Sequence, residues 1–413
     1  MKRVYAVSLL MVVTLLMALG SGVPVYYRVF FLTTLVLVFG LAWALLSVWR
    51  LGVGVDRSFG KLRVGERMES QIAVRSGSPL PKFGLEVREL SEMPGHNTAA
   101  VINLPPFGEA YVKLSVPLVK RGVYRIGLPV LVGGDPFGIF TLRRKRPGTE
   151  PLAVMPYVVD IPPFSVAQGD TSGEGSLLRS APEATASAST VREYRHEDST
   201  RYIHWPATAR KGKLMLKQFD GGMEDVLWIL LDLQAGTTVG DELENSEEFA
   251  VTAAASIAKS YSEVGWAVGL LAQGDRQYLL PPQEGAPAYE RISMALTEAR
   301  ANGAYPISEV LSYWQTHVPS PAVSLVVVSA SMEPGWGVAL ESVVRQGVTA
   351  SAVVVDASSF GGRDDPALLL SRLQRRGVPT YLLRKGEDIS YALQHRWHPG
   401  SPQRVEEPVG ATA

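Results

Sequence analysis

Two long apolar runs open the chain. The first, residues 4–20, reads VYAVSLLMVVTLLMALG, and the second, residues 29–49, reads VFFLTTLVLVFGLAWALLSVW. Crossing a bilayer takes ~20 apolar helical residues, which the second run supplies; the first is short unless residues 21–25 join it. Gly22 and Pro24 break the helix between the runs, and Tyr26 and Tyr27 suit a membrane–water boundary. Lys2 and Arg3 precede the first run, Arg50, Arg57, Lys61 and Arg63 follow the second, and the connection holds only Arg28. Positive charge concentrates on the cytoplasmic side, so both outer ends are expected there. A cleaved signal peptide is the alternative, but no small-x-small site followed by a polar start is present. Residues 1–50 are read as a transmembrane helical hairpin in the cell membrane, with the large C-terminal part in the cytoplasm.

From residue 51 the pattern shortens. Segments such as KLRVGERMESQIAVRSGS and EAYVKLSVPL alternate apolar and polar positions, separated by Gly, Pro, Ser and Asn about every ten residues, which predicts an antiparallel β-sandwich over 51–150. Met68, Ser70, Ile72 and Val74 form a dry face, and Glu69, Gln71 and Arg75 a wet one. No cluster of catalytic residue types falls here, so a structural spacer is expected. Residues 151–190 are rich in Pro, Ser, Gly and Ala and read as a linker.

Beyond the linker the period changes again. VLWILLDL, residues 226–233, is a nearly unbroken apolar run, as a strand buried on both faces requires. Helical and strand patterns then alternate as far as residue 395, predicting a doubly wound α/β sheet. One helix is expected to start at Asn245 or Ser246, with Glu247 and Glu248 in its first turn, and another to end at the Gly347 cap. Residues 396–413 are expected to be a disordered tail. The fold class expected for the whole is thus a multidomain α+β chain: hairpin, sandwich, α/β domain.

Composition narrows the possibilities. The 413 residues carry 40 basic and 40 acidic side chains, so no global field draws nucleic acid, and no nucleic-acid partner is expected. The absence of cysteine excludes disulfides, thiolate zinc sites and cysteine nucleophiles. No GxGxxG or P-loop follows a strand, which argues against nucleotide binding.

Ligands of open α/β sheets bind beyond the carboxyl ends of the strands. Asp232 stands at such an end and is a candidate metal-binding aspartate; Asp356 ends another strand and is either a second carboxylate or a loop cap. The other polar concentration is VREYRHEDSTRYIHWPATARKGKLML, residues 191–216. His196, Asp198 and His204 there could form a metal-dependent hydrolase site, but contiguous His-Glu-Asp side chains diverge, and catalysis needs convergence. The alternative is an architectural or docking element, with Asp198 bonded to Arg201 or Arg210 and Trp205 set against the sheet.

The patch resembles the signature of the family called domain of unknown function 58. Tyr194, Asp198, Arg201, Ile203, Trp205, Ala209, Arg210, Leu214 and Lys217 fall on that pattern, His204 lies inside it, and Glu197 departs from it where the family has glycine. A second family feature appears as KRGVYRIGLPVLVGGDPFGIF, residues 120–140. The resemblance covers about residues 1–395. It implies a membrane-anchored protein with a von Willebrand factor A-like C-terminal domain over 191–395, commonly associated with MoxR-type AAA+ ATPases and transglutaminase-like membrane proteins. An adhesion-type Mg²⁺ site in such a domain uses Asp-x-Ser-x-Ser. Asp232 matches, Gln234 and Gly236 replace the serines, and Ser329 and Ser331 stand where a later aspartate belongs, so a degenerate metal site is expected. The sum is a non-enzymatic membrane scaffold for a protein partner, expected to be an AAA+ ATPase.

Overall fold

The computed structural model describes residues 2–57, 61–95, 98–145, 147–162, 190–193, 205–218, 226–318 and 323–399. The chain divides into two compact units, Met1–Tyr157 and Val158–Ala413.

The first unit opens with helices α1 (Lys2–Ser21) and α2 (Pro24–Ser47), both long and apolar enough to cross a membrane. Pro24 occupies the first turn of α2, where its missing N–H costs nothing. Small residues, Ala18, Gly40 and Ala44, are buried, while Leu9, Leu16, Phe31, Leu35 and Val38 are exposed. Small side chains are thus enclosed, Gly40 against Phe140 and Asp135, and large apolar ones turn outward, the reverse of a water-soluble helix pair.

Among the described residues ten strands follow: β1 (Leu51–Arg57), β2 (Leu62–Arg63), β3 (Arg67–Ser76), β4 (Lys82–Arg88), β5 (Ala99–Leu104), β6 (Glu109–Pro117), β7 (Gly122–Gly127), β8 (Val130–Gly134), β9 (Thr141–Arg144) and β10 (Thr149–Met155). They form sheets ordered β1-β3-β6, β5-β4-β8-β9 and β2-β10-β7. In β3 every second residue is buried, as the Met68–Val74 alternation requires. Ile72 and Val74 of β3, Leu114 of β6, Leu85 and Val87 of β4 and Leu131 of β8 share one core. A buried ion pair lies beside it: Arg57 Nη2 is 2.8 Å from Glu89 Oε1, both side chains almost fully enclosed. The last strand runs five residues beyond position 150, because 149–154 pair in register with β7 and Leu152 and Val154 are buried.

In the second unit the chain is already packed at residues 158–161, where Val158, Val159 and Ile161 join the core and Val159 N–H donates to Ser256 Oγ at 3.1 Å. The stretch expected as linker therefore contributes structure at its N-terminal end, because its apolar residues find a core to cover. Next come β11 (Thr190–Glu193), α3 (Trp205–Lys211) and β12 (Met215–Gln218), with β11 and β12 antiparallel.

The rest alternates: β13 (Val226–Leu231), α4 (Ser246–Glu263), β14 (Ala267–Gln273), β15 (Gln277–Gln283), α5 (Ala286–Glu298), α6 (Ile307–His317), β16 (Ser324–Ser329), α7 (Pro334–Arg345), β17 (Thr349–Val355), α8 (Ala367–Arg375), β18 (Thr380–Leu383) and α9 (Ile389–Gln394). Asn245 caps α4, its side chain accepting from Glu248 N–H. The sheet order is β15-β14-β13-β16-β17-β18, parallel except for the edge strand β15. Leu227, Ile229 and Leu231 face a core shared with α4, α5 and α9; Trp228 and Leu230 face one shared with α6, α7 and α8. Helices on both faces explain why β13 lacks a polar alternation. Trp397 packs against the second of these cores and its N–H donates to Thr380 O at 2.8 Å, so order extends past the expected boundary at 396; positions 400–413 of the expected tail lie outside the described residues.

Candidate functional site

The strand order reverses between β13 and β16: β13 leads outward to β14 on one side, and the chain returns to place β16 on the other. Adjacent loops diverge at such a point and leave a crevice beyond the carboxyl ends of the two strands. Asp232 follows β13 and Ser329 ends β16, so both stand at the crevice.

Asp232 is buried and tightly held. Its N–H donates to Val328 O at 2.9 Å, locking it to β16. Its Oδ1 accepts from Gln234 N–H at 3.0 Å, and its Oδ2 from the Ser329 hydroxyl at 2.6 Å. Ser329 Oγ accepts in turn from Ser331 N–H at 2.9 Å. Burial pushes the Asp232 carboxyl above its ordinary range; the Ser329 and Gln234 bonds pull it back, and the Glu333 charge adds a further upward push.

The loop after Asp232 is pinned by Gly303, from the α5–α6 connection. Ala235 N–H donates to Gly303 O at 2.8 Å, and Gly303 N–H to Leu233 O at 2.8 Å. A Cβ on Gly303 would overlap the Gln273 carbonyl, so only glycine lets the two segments approach. Gly236 takes φ +87°, a left-handed turn natural to glycine. The Thr237 hydroxyl donates to Gln234 O at 2.8 Å. On the other strand the Trp336 indole N–H donates to Ser331 O at 3.0 Å. Outside this frame lies an open depression of about 660 Å³, lined by Gln234, Gly236, Thr237, Ser331 and Glu333 and by Arg363, Asp364, Asp365 and Arg372.

These groups do not fit a Mg²⁺ ion held at Asp232. The single buried carboxylate already takes a donor on each oxygen, and Gly236 supplies no ligand where a hydroxyl is needed. Asp356 is used elsewhere: it accepts from Ser358 N–H at 3.0 Å and from the Ser358 hydroxyl at 2.5 Å, and pairs with Arg384 at 3.3 Å, starting the 3₁₀ turn Ala357–Phe360. Of the two readings of that residue, the loop cap is the one observed. Among the described residues no group of three or more His, Asp or Glu is gathered as a metal site. His317 and His395 are each tied to their own helix, Nδ1 lying 2.8 Å from Tyr313 O and Tyr391 O respectively.

Of the signature patch, Tyr194, His196, Asp198, Arg201 and His204 lie outside the described residues. Trp205 begins α3 and Lys217 stands on β12 opposite Val191. Arg210 and Lys211 close α3 and are exposed, while Met215 is buried and its N–H donates to Thr208 Oγ1 at 3.0 Å. Sequence reasoning passed over Gly303, Glu333, Arg363 and Arg372, which reach the crevice from loops and helices far along the chain. Only the strand order brings them there.

A model of the family described as "Protein of unknown function DUF58" matches residues 190–358. The uncharacterized protein YeaD of Bacillus subtilis (strain 168) is 24% identical over 273 residues, 64% of this chain and 65% of that protein, slightly under two thirds of its length. Both findings support the family resemblance. Among solved structures, the C-terminal domain of wzt shares 13% identity at a TM-score of 0.21, over 25% of this chain and 73% of that one. The CARDB domain of the PF1109 protein from Pyrococcus furiosus shares 16% identity at a TM-score of 0.20, over 25% of this chain and 94% of that one. Likenesses at these scores carry no fold assignment.

Proposed function

We propose that this chain is a membrane-anchored, non-enzymatic scaffold that holds a protein partner at the switch-point end of its α/β unit. One observation carries the reading. The group at the crevice best placed for chemistry, Asp232, is committed to donors of its own chain, while the depression outside is wide, open and ringed by charges of both signs. Arg363 and Arg372 beside Glu333, Asp364 and Asp365 suit a protein surface that presents acids and bases in register, better than they suit a small reactive substrate.

The finer assignments belong to the same reading. A six-stranded sheet with one reversal, an antiparallel edge strand and helices on both faces supports a doubly wound, von Willebrand factor A-like domain with a degenerate metal site. Sheets β1-β3-β6 and β5-β4-β8-β9 contributing to one core support a β-sandwich in the first unit. Basic residues flanking the helix pair favour both ends in the cytoplasm. The family resemblance makes a MoxR-type AAA+ ATPase the first partner to test. With a photocrosslinking residue in place of Arg372, in native membranes, an AAA+ ATPase is expected as the reproducible adduct. An unchanged crosslinking pattern against a chain lacking the probe would refute the docking site.

A further inference from the structure

The Asp-Pro-Phe-Gly stretch occupies residues 135–138. It forms the turn between β8 and β9, and that turn lies along α2 rather than beyond its end. The ring centroids of Phe137 and Phe39 are 6.3 Å apart, edge to face. A Cβ on Gly40 would sit 3.3 Å from the Phe140 ring and 3.5 Å from Asp135 Oδ2. Gly40 precedes the end of α2, Ser47, by seven residues, about 10 Å of helix. Leu41 and Leu45, nearer that end than Gly40, are 44% and 55% exposed. If lipid covers them, it also reaches the turn.

The β-strands hold the helix end firmly at this level. Lys82 Nζ donates to Leu46 O, Arg144 Nη1 donates to Val48 O at 3.0 Å, and Gly133 lies so close to Ser47 that a Cβ there would overlap its hydroxyl. Four N–H groups of the turn are bonded within it. Asp135 Oδ2 accepts from Phe137 N–H at 2.9 Å and Oδ1 from Phe140 N–H at 2.5 Å; Gly138 N–H donates to Asp135 O at 3.1 Å, Asp135 N–H to Phe140 O at 3.2 Å, and Pro136 has no N–H. Irregular backbone is tolerated near hydrocarbon only when its polar groups are satisfied in this way. Yet Phe137 remains 53% exposed. Between the turn and the start of α1 lies an open cleft of about 950 Å³ whose lining includes Arg3, Val4, Ile139, Phe140, Leu142 and Arg143. Two guanidinium groups with an apolar lining match a phosphate headgroup above its acyl chain.

We infer that the β8–β9 turn is seated in the membrane surface, with Phe137 in the acyl layer and Arg3 and Arg143 on the phosphate of an anionic phospholipid. The inference rests on the reading that α1 and α2 span the bilayer. Because the chain has no cysteine, single cysteines at Phe137, Leu35 and Leu368 can each carry a fluorophore in the full chain, reconstituted in vesicles of phosphatidylcholine and phosphatidylglycerol. Lipids with a spin label on the acyl chain should quench the probes at Leu35, on α2, and at Phe137, and spare the one at Leu368, on α8. An unquenched Leu35 probe overturns the spanning reading; a quenched Leu35 probe with an unquenched Phe137 probe overturns the turn's seating alone. Quenching at Phe137 should favour labelled phosphatidylglycerol over labelled phosphatidylcholine by about fivefold per arginine, and Arg143→Gln should remove that share. Equal quenching by the two lipids in the unaltered chain overturns the headgroup assignment. Excess inorganic phosphate should leave the preference intact, and its loss would assign the cleft to a soluble phosphate.

Discussion

Replacing Ser329 with alanine tests the frame of the crevice directly. The Ser329 hydroxyl is fully buried, donates to Asp232 Oδ2 at 2.6 Å and accepts from Ser331 N–H at 2.9 Å. A hydrogen bond to a charged group contributes about 1.5–3 kcal/mol, and a buried N–H left without a partner costs about 1–3 kcal/mol. The two losses share one atom and partly overlap, so a destabilisation of about 3 kcal/mol is expected, roughly a 150-fold shift in the opening equilibrium. Native-state hydrogen exchange of the full chain should show it at the amides of Gln234 and Ser331. The effect should also depend on pH with a definite sign. Burial raises the folded Asp232 carboxyl above its ordinary 3.8. Between 3.8 and that raised value the folded chain holds a proton that the unfolded chain has released, so stability falls as pH rises through the window. Losing the Ser329 bond raises the folded value further. The variant's deficit is therefore largest at neutral pH and shrinks as pH falls toward 3.8. Less than about a threefold change at both amides, or a deficit that grows on acidification, would refute this account.

Gly303→Ala should displace the loop after Asp232, since the new Cβ meets the Gln273 carbonyl, a backbone group that cannot swing aside. About 1–3 kcal/mol is expected, read as faster exchange of the Ala235 amide, and an unchanged rate would contradict the close approach. Glu89→Ala removes the buried one of the two carboxylates paired with Arg57, whose guanidinium keeps Glu150 Oε2 at 2.7 Å and Gly127 O at 2.7 Å. The expected loss is about 1.5–3 kcal/mol by thermal unfolding, the worth of hydrogen bonds to a charged group while Arg57 keeps its other acceptors; an unchanged melting temperature would show that the buried pair contributes nothing.

Some of this molecule could be read along the chain, because the signal lay in local period. The runs at 4–20 and 29–49 became α1 and α2, since apolar helices of that length need no distant partner to be recognised. The alternation Met68, Ser70, Ile72, Val74 became the buried face of β3, and the unbroken run at 226–231 became a strand covered on both sides. Asn245, one of the two starts expected for that helix, caps α4. Element edges were less legible. Residues 151–155 and 158–161 looked like linker because Pro, Ser, Gly and Ala dominate beyond them, yet pairing with β7 and burial against α4 order them.

The crevice shows the division most clearly. Local pattern was enough to put Asp232 at the end of a buried strand, with Gln234 and Gly236 after it in place of hydroxyls. It could not determine that the Ser329 hydroxyl, 97 residues away, takes the Asp232 proton-accepting edge, or that Asp356 faces Arg384 instead. Nor could it place Gly303 under the loop or Phe137 beside α2. Period and propensity act over a few residues, whereas strand order and chain reversal decide which distant groups meet. A buried carboxylate acquires its charge state and its partners only from those meetings.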